Sequence, residues 1–222
     1  GAEHGSGKSV VALGLMDLLV GRGERVGFFR PVLPGTGEPD ALTALMTTRY
    51  SLSFDPEQLY GVTAAEARML VQQDRYGELL KRILEKYRSL QRACERVICV
   101  GTDYASVAGV LEFDFNLDAA NNLGCLLVPV VRADRRAAGD IVQALRVFQE
   151  LLEERDAEVF VTFINRVPAD QLEAVRAGVA DFIPDGLPLG ILPEEASLGR
   201  PTMGDIARGL DAQVLYVEQY VF

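Results

Sequence analysis

Gly1-Ala2-Glu3-His4-Gly5-Ser6-Gly7-Lys8-Ser9 opens the chain and runs straight into Val10-Val11-Ala12-Leu13-Gly14-Leu15-Met16, an apolar helix-forming stretch. Gly-x-Gly-Lys-Ser ahead of a helix reads as a phosphate-binding loop. Gly5 and Gly7 let backbone N–H groups wrap phosphate oxygens, with Glu3, His4 and Ser6 completing the cradle. The helix N-terminus adds partial positive charge and Lys8 adds a full one. The Ser9 hydroxyl is placed to ligate Mg²⁺. The strict spacing puts a glycine five residues before Gly7, where this chain has Ala2. Gly1 sits one place further back, so the loop reads as one residue longer than the standard form, with a bend at Ala2 that a Cβ tolerates. The expected ligand is ATP or a related nucleotide with Mg²⁺. A glycine-rich turn that merely caps the helix is the plainer alternative.

The rest of the composition narrows the class. With 222 residues, 49% of them hydrophobic, the chain is long enough for one α/β domain of generous size. Its net charge of −10 and its lack of a Lys/Arg cluster argue against nucleic acid and anionic membrane as partners. Any nucleotide therefore needs a locally positive pocket, which the loop would supply. Cys94, Cys99 and Cys125 are odd in number and form no Cys-x-x-Cys pair, which points to a reducing, cytoplasmic setting rather than a disulfide framework. His4 is the only histidine, so a histidine-rich metal centre is excluded. No apolar run reaches the roughly 18–20 residues of a membrane span. A phosphate-binding loop normally follows a β-strand. This chain starts at the loop, so truncation before Gly1 is expected.

Helix and strand signals alternate along the sequence. A helix is expected over 9–21, stopped by Gly21-Arg22-Gly23, then a buried strand over 25–29 ending at Arg30-Pro31. Asp40 N-caps a helix over 41–47. Residues 50–62 read as irregular. Thr63-Ala64-Ala65-Glu66 is a capping box for a helix to about 73. An amphipathic helix spans 77–94 with Leu80, Ile83, Leu84, Tyr87 and Leu90 on one face. Residues 97–100 form a strand expected to be central. Helices over 115–123, 138–153, 168–179 and 202–210 alternate with strands over 126–131, 159–164, 187–191 and 213–217. That pattern predicts a doubly wound, mainly parallel sheet with helices on both faces, of the P-loop type, as a single domain over 1–222.

In such a sheet, ligands bind at the carboxyl ends of the strands. Asp40 and Asp103 are candidate Mg²⁺ partners beside Ser9, since Mg²⁺ needs only one or two carboxylates. Asp40 reads equally as a helix cap, and Asp103 as a turn residue. Arg30 is a candidate for a phosphate or carboxylate, or else a snorkelling surface arginine. Asn165 offers a donor and an acceptor to a nucleotide base, or else serves a turn. Arg132-Ala133-Asp134 follows the fourth strand. Cys99, Cys125, Phe28 and Phe29 read as core. The density of aromatics and valines over 216–222 suggests a face that packs on further protein.

These residues carry a resemblance. The loop 1–9 looks like the modified phosphate loop of dethiobiotin synthetase and of the amidoligases that make cobyrinic acid diamide. Arg30-Pro31-Val32 is similar to that family's Lys-Pro-Val element, Asp40 falls loosely at its metal-binding aspartate, and Asn165 with Leu192-Pro193-Glu194 falls where it contacts adenine. A nearer resemblance is to the N-terminal domain of the long phosphate acetyltransferases. It rests on residues 26–31, 60–63, 100–104, 121–124, 164–167 and 192–195, in order along nearly the whole chain. Dethiobiotin synthetases carry a catalytic Glu where this chain has Val100, and an apolar side chain there neither binds metal nor moves a proton. The resemblance thus implies a domain that binds a nucleotide or metabolite and regulates or assembles a homo-oligomeric acetyltransferase. Its acetyl-transfer site would lie in a C-terminal domain absent from this chain, and the present domain would not itself catalyse that step. A free-standing ATP-dependent ligase is the alternative, and a partitioning-type ATPase a more distant one.

Overall fold

The computed structural model describes residues 5–35, 37, 39–102, 111–180 and 188–199. Seven α-helices and six strands alternate among them. The strands are β1 (Val26–Leu33), β2 (Tyr60–Thr63), β3 (Arg96–Cys99), β4 (Val130–Arg132), β5 (Thr162–Val167) and β6 (Leu189–Pro193). They form two parallel three-stranded sheets, ordered β2-β1-β3 and β4-β5-β6. The helices are α1 (Lys8–Gly21), α2 (Ala41–Arg49), α3 (Ala64–Gln72), α4 (Tyr76–Gln91), α5 (Leu111–Leu123), α6 (Ala138–Glu154) and α7 (Leu172–Ala180). The α/β class with parallel strands and flanking helices is the one the alternating signals predict. The expected helix over 202–210, the strand over 213–217 and the packing face over 216–222 lie outside the described residues.

The first sheet is covered on both faces, and β1 shows why. All eight of its residues are buried. Phe28 packs with Ala12 and Met16 of α1 and Met46 of α2. Its neighbour Phe29 packs with Ile83 and Tyr87 of α4 on the other side. Alternation of side chains along a strand sends the two rings to opposite faces, so the expectation that both are core holds. The Phe29 and Tyr87 rings meet edge to face, 5.6 Å between centroids. The second sheet packs against α6 and α7 through Ile141, Leu145, Val175 and Val179.

Local chemistry sets most helix ends. Gly23, at φ +80°, closes α1 with N–H bonds from Gly23 to Val20 O and from Glu24 to Leu19 O, a Schellman ending. Thr63 and Glu66 form the expected capping box of α3, with Glu66 N donating to Thr63 Oγ1 at 3.2 Å and Thr63 N to Glu66 Oε2 at 2.7 Å. Asp40 caps α2 by accepting from Thr43 N at 2.9 Å. In α4 the fully packed face is Leu79, Ile83, Tyr87 and Leu90, while Leu80 and Leu84 sit half-buried at its margin. Ile83, Tyr87 and Leu90 thus lie on the packed face as expected, which is centred towards Leu79 rather than Leu80 and Leu84.

The strands depart further from expectation. β1 does not stop at Arg30-Pro31 but continues to Leu33. Proline usually breaks a strand interior because it lacks an N–H. Here Arg30 N donates to Leu59 O on the β2 side, so the position of Pro31 faces the β3 side. The β1–β3 ladder ends with Val100 N donating to Phe29 O, and the Val100 carbonyl, which an N–H at position 31 would meet, accepts from Arg30 Nη1 instead. Residues 50–62 are not wholly irregular, since β2 begins at Tyr60. Gly61 makes this short strand possible: a Cβ there would sit 2.6 Å from Pro31 O and 2.8 Å from Ile83 Cγ1. β3 pairs with β1 alone among the described strands, at the sheet's edge rather than its centre. The strand expected over 126–131 is shorter, Val130–Arg132, preceded by a lone Leu127–Val159 bridge. The strand expected over 159–164 is shifted to Thr162–Val167. The helix expected over 168–179 begins with a 3₁₀ turn, Ala169–Gln171.

Candidate phosphate-binding site

Gly5, Ser6 and Gly7 lead into α1 with both glycines left-handed, at φ +70° and +87°. Glycine alone enters that region at no steric cost. Gly7 is the N-cap, and its carbonyl accepts from Val10 N at 3.0 Å and Val11 N at 3.3 Å. Gly7 brings no side chain to cap this helix end, and among the described residues no acidic one lies in its first turn. The partial positive charge there favours an anionic ligand. Lys8 is half-buried at the first helical position and Ser9 is exposed at the second. Ser6 is 1% exposed, and its Oγ has no hydrogen-bond partner among the described residues. An orphaned buried hydroxyl beside a helix N-terminus fits an anionic ligand that would satisfy both.

The second sheet supplies the wall behind the loop. Arg132 and Asn165 are paired residues of β4 and β5. Asn165 is buried, and its Nδ2 donates to Ser6 O at 2.8 Å. A Cβ on Gly7 would overlap that same Nδ2. A register irregularity lies between Ile164 and Val167, and Arg166 is left-handed at φ +63°. Such a bulge re-aims side chains and marks functional strand ends. Here it accompanies Asn165 on the loop and Arg166 on the carboxylates of Asp134, at 3.9 Å, and Glu194, at 3.6 Å. Pro193 ends β6 beside Val167 and is exposed.

Asp134 has a side chain only 4% exposed and is gripped by Arg132 through Nε to Oδ1 and through Nη2 to Oδ2 at 2.7 Å. Those bonds from Arg132 hold its carboxyl below the usual range against the opposing effect of burial, and Arg166 adds to them. Neither Arg132 nor Asp134 stood out in the sequence as a site residue. The one signal available was their position just past a strand end.

The other described candidates have partners of their own. Arg30 is not a snorkelling surface residue. It is 6% exposed, with Nη2 3.0 Å from Asp40 Oδ2 and Nη1 donating to Val100 O at 3.4 Å. Asp40 thus caps α2 and pairs with Arg30, which commits both of its oxygens. Val100 is buried among Ala12, Met16 and Met46, so the position carries no chemistry. Glu3, His4 and Asp103 lie outside the described residues. Among the described residues no group of three or more His, Cys, Asp or Glu side chains could hold a metal ion. Nor is any helix there long and apolar enough to cross a membrane. Cys99 and Cys125, read from sequence as core, are only partly buried.

Comparison with known proteins agrees with this geometry. The chain is 35% identical over 222 aligned residues to a phosphate acetyltransferase of Nitratidesulfovibrio vulgaris, which covers 96% of this chain and 31% of that protein. It is 29% identical to a phosphate acetyltransferase of Synechocystis sp., covering 96% and 31%. A third, from Pseudomonas putida, is 26% identical, covering 98% and 32%. The chain spans about a third of the length of these curated relatives. The sequence profile of a family described as an AAA domain matches residues 1–202. By that match, which takes in the loop and both sheets, the chain belongs to the AAA domain family.

Proposed function

We propose that this chain binds a nucleoside polyphosphate on the loop at residues 1–9 and serves as the regulatory or assembly domain of a phosphate acetyltransferase. That enzyme interconverts acetyl-CoA and phosphate with acetyl phosphate and CoA, at a site in a part of the protein other than this chain. The observation that carries the reading is the N-terminus of α1, fronted by two left-handed glycines and the orphaned Ser6 hydroxyl. The N–H groups of the loop and Lys8 would hold phosphate oxygens. Ser9 would reach a Mg²⁺ that keeps most of its waters. When bound, the nucleotide would bring a phosphate chain whose charge that cation and Lys8 offset. Asp40, already paired with Arg30 and Thr43, would meet that cation through one of its waters rather than directly.

Support for a regulatory role comes from what the site lacks. Val100 is buried and apolar where a ligase of the dethiobiotin-synthetase type uses an acid. The relatives that span three times this length are named phosphate acetyltransferases. Calorimetry on the full-length protein with ATP and Mg²⁺ tests the reading, with Lys8→Ala expected to lose at least about tenfold in affinity. In the same protein, nucleotide should change the rate of acetyl transfer in the wild type and not in Lys8→Ala. If no adenine nucleotide binds, the loop has no ligand role. Sustained ATP turnover driven by an amine and a carboxylate substrate would establish a ligase instead.

A further inference from the structure

Cys99 and Cys125 bring two thiols together from elements that are distant in sequence. Cys99 is the last residue of β3 and pairs with Phe29 of β1. Cys125 follows the end of α5, where its N–H donates to Ala120 O at 2.9 Å and the Gly124 N–H to Asn121 O at 3.2 Å. That closing turn fixes the backbone of Cys125. Both side chains pack on the margin of the first-sheet core, and both residues are partly exposed. Their Sγ atoms are 3.9 Å apart. A disulfide bond is about 2 Å long, so bridging takes a shift of about 2 Å shared between two side chains. The Tyr87 hydroxyl lies 3.8 Å from Cys125 Sγ. Hydrogen bonding with Cys99 and Tyr87 favours the Cys125 thiolate, while Cys99 keeps its proton. Cys94 differs: its Sγ lies beside Gly27, and burial pushes its thiol up. A nucleophilic thiol with a second thiol in reach is the arrangement that oxidation-responsive cysteines need.

We propose that Cys125 and Cys99 form a reversible oxidation site, at which a hydroperoxide oxidises Cys125 and Cys99 resolves the product as a disulfide. The Cys125 thiolate attacks one peroxide oxygen. An S–O bond forms, the O–O bond breaks, and the departing oxygen takes a proton from water. The Cys99 sulfur then attacks the sulfenic sulfur of Cys125. An S–S bond forms, the S–O bond breaks, and the hydroxyl leaves as water with the Cys99 proton. One peroxide gains two electrons and the two thiols lose them. A small dithiol reverses the change by exchange. The bridge ties the end of α5 to the end of β3. Near its start, α5 already holds the chain after β3 through Asn116. Thr102 N donates to Asn116 Oδ1 at 3.1 Å, and Asn116 Nδ2 donates to Thr102 O at 3.4 Å. Oxidation thus adds a covalent tie at the other end of the same helix. None of this depends on what the phosphate loop binds.

Hydrogen peroxide treatment of the reduced, folded full-length protein tests this, with free thiols then blocked by N-ethylmaleimide and the peptides read by mass spectrometry. Trypsin leaves Cys99 and Cys125 on one peptide, because no Lys or Arg lies between Arg96 and Arg132, and puts Cys94 on another. Further cleavage at Glu112 parts Cys99 from Cys125 unless they are bridged. The bridged pair should accumulate at least about tenfold faster than any oxidised form of Cys94, and dithiothreitol should restore both thiols. Cys99→Ala should lose the bridge and carry Cys125 on to the sulfinic acid, which dithiothreitol does not reverse. The wild-type result needs no variant, so the answer survives if Cys99→Ala does not fold. Oxidised wild type without the Cys99–Cys125 bridge, a bridge that takes in Cys94 instead, or one that forms only in urea overturns the proposal.

Discussion

Asn165 Nδ2 donates to the main-chain carbonyl of Ser6 at 2.8 Å across 159 residues of sequence. The bond fastens the phosphate loop to the end of β5, and Gly7 lies so close that a Cβ on it would overlap the same amide. The loop's shape is thus set by the second sheet as much as by its own glycines.

Replacing that donor should be costly. Asn165→Asp puts a carboxylate against the Ser6 carbonyl in a buried site, and about 1–3 kcal/mol of stability should be lost. Gly7→Ala should also destabilise the protein, through overlap with Asn165 and through strain at φ +87°. Urea unfolding midpoints measure both. A wild-type midpoint in Asn165→Asp would show that the bond does not hold the loop.

The Arg30–Asp40 pair should behave as a buried ion pair. Arg30→Met strips Asp40 of its partner, and about 3 kcal/mol should be lost. Adding Asp40→Asn to that variant should recover part of the loss, because the uncompensated charge goes while a cap to Thr43 N remains. A double variant no more stable than Arg30→Met would mean that the charge of Asp40 is solvated by other means. Denaturant titration of the four-member cycle gives the answer.

Asp134 should shape the acid side of the stability profile. Its folded-state value lies below the ordinary 3.8 because Arg132 bonds to its ionised form. The unfolded chain therefore binds the proton first as pH falls. The contribution is fully present above about pH 4 and fades as pH drops through 3.8 towards the depressed folded value. Asp134→Asn should be less stable than wild type at pH 7, and the gap should narrow near pH 3. A gap independent of pH would assign its cost to packing.

Cys125 should be the most acidic of the three thiols. Its Sγ lies 3.9 Å from Cys99 Sγ and 3.8 Å from the Tyr87 hydroxyl. Hydrogen bonding with Cys99, and then with Tyr87, brings its thiol down to about 7 against the effect of burial, while Cys99 is pushed up. Alkylation by iodoacetamide, followed by peptide mass spectrometry, should show Cys125 labelling with a midpoint near pH 7. Cys99→Ala should move that midpoint up towards 9.0, the ordinary thiol value used for comparison. Preferential labelling of Cys99 would reverse the assignment.

The sequence by itself determined the features governed by neighbours along the chain. The glycines and Lys8 of the loop, the Schellman ending at Gly23 and the Thr63–Glu66 box all act within a few residues, so their chemistry is visible in order. The same holds for Asp40 as a cap and for the alternation that sends Phe28 and Phe29 to opposite faces. Tertiary structure decided what depends on which strands become neighbours. Pro31 continues β1 because Arg30 takes the Val100 carbonyl that an N–H there would meet, and β2 exists because Gly61 clears Pro31 and Ile83. Arg30 was legible as a strand-end arginine, but whether it met solvent or Asp40 depended on how α2 returns to the sheet. Asn165 reached Ser6 through pairing between β4 and β5 and an irregularity in one of them. Periodicity carries no information about contacts over such separations, because burial and charge compensation are settled only when distant segments meet.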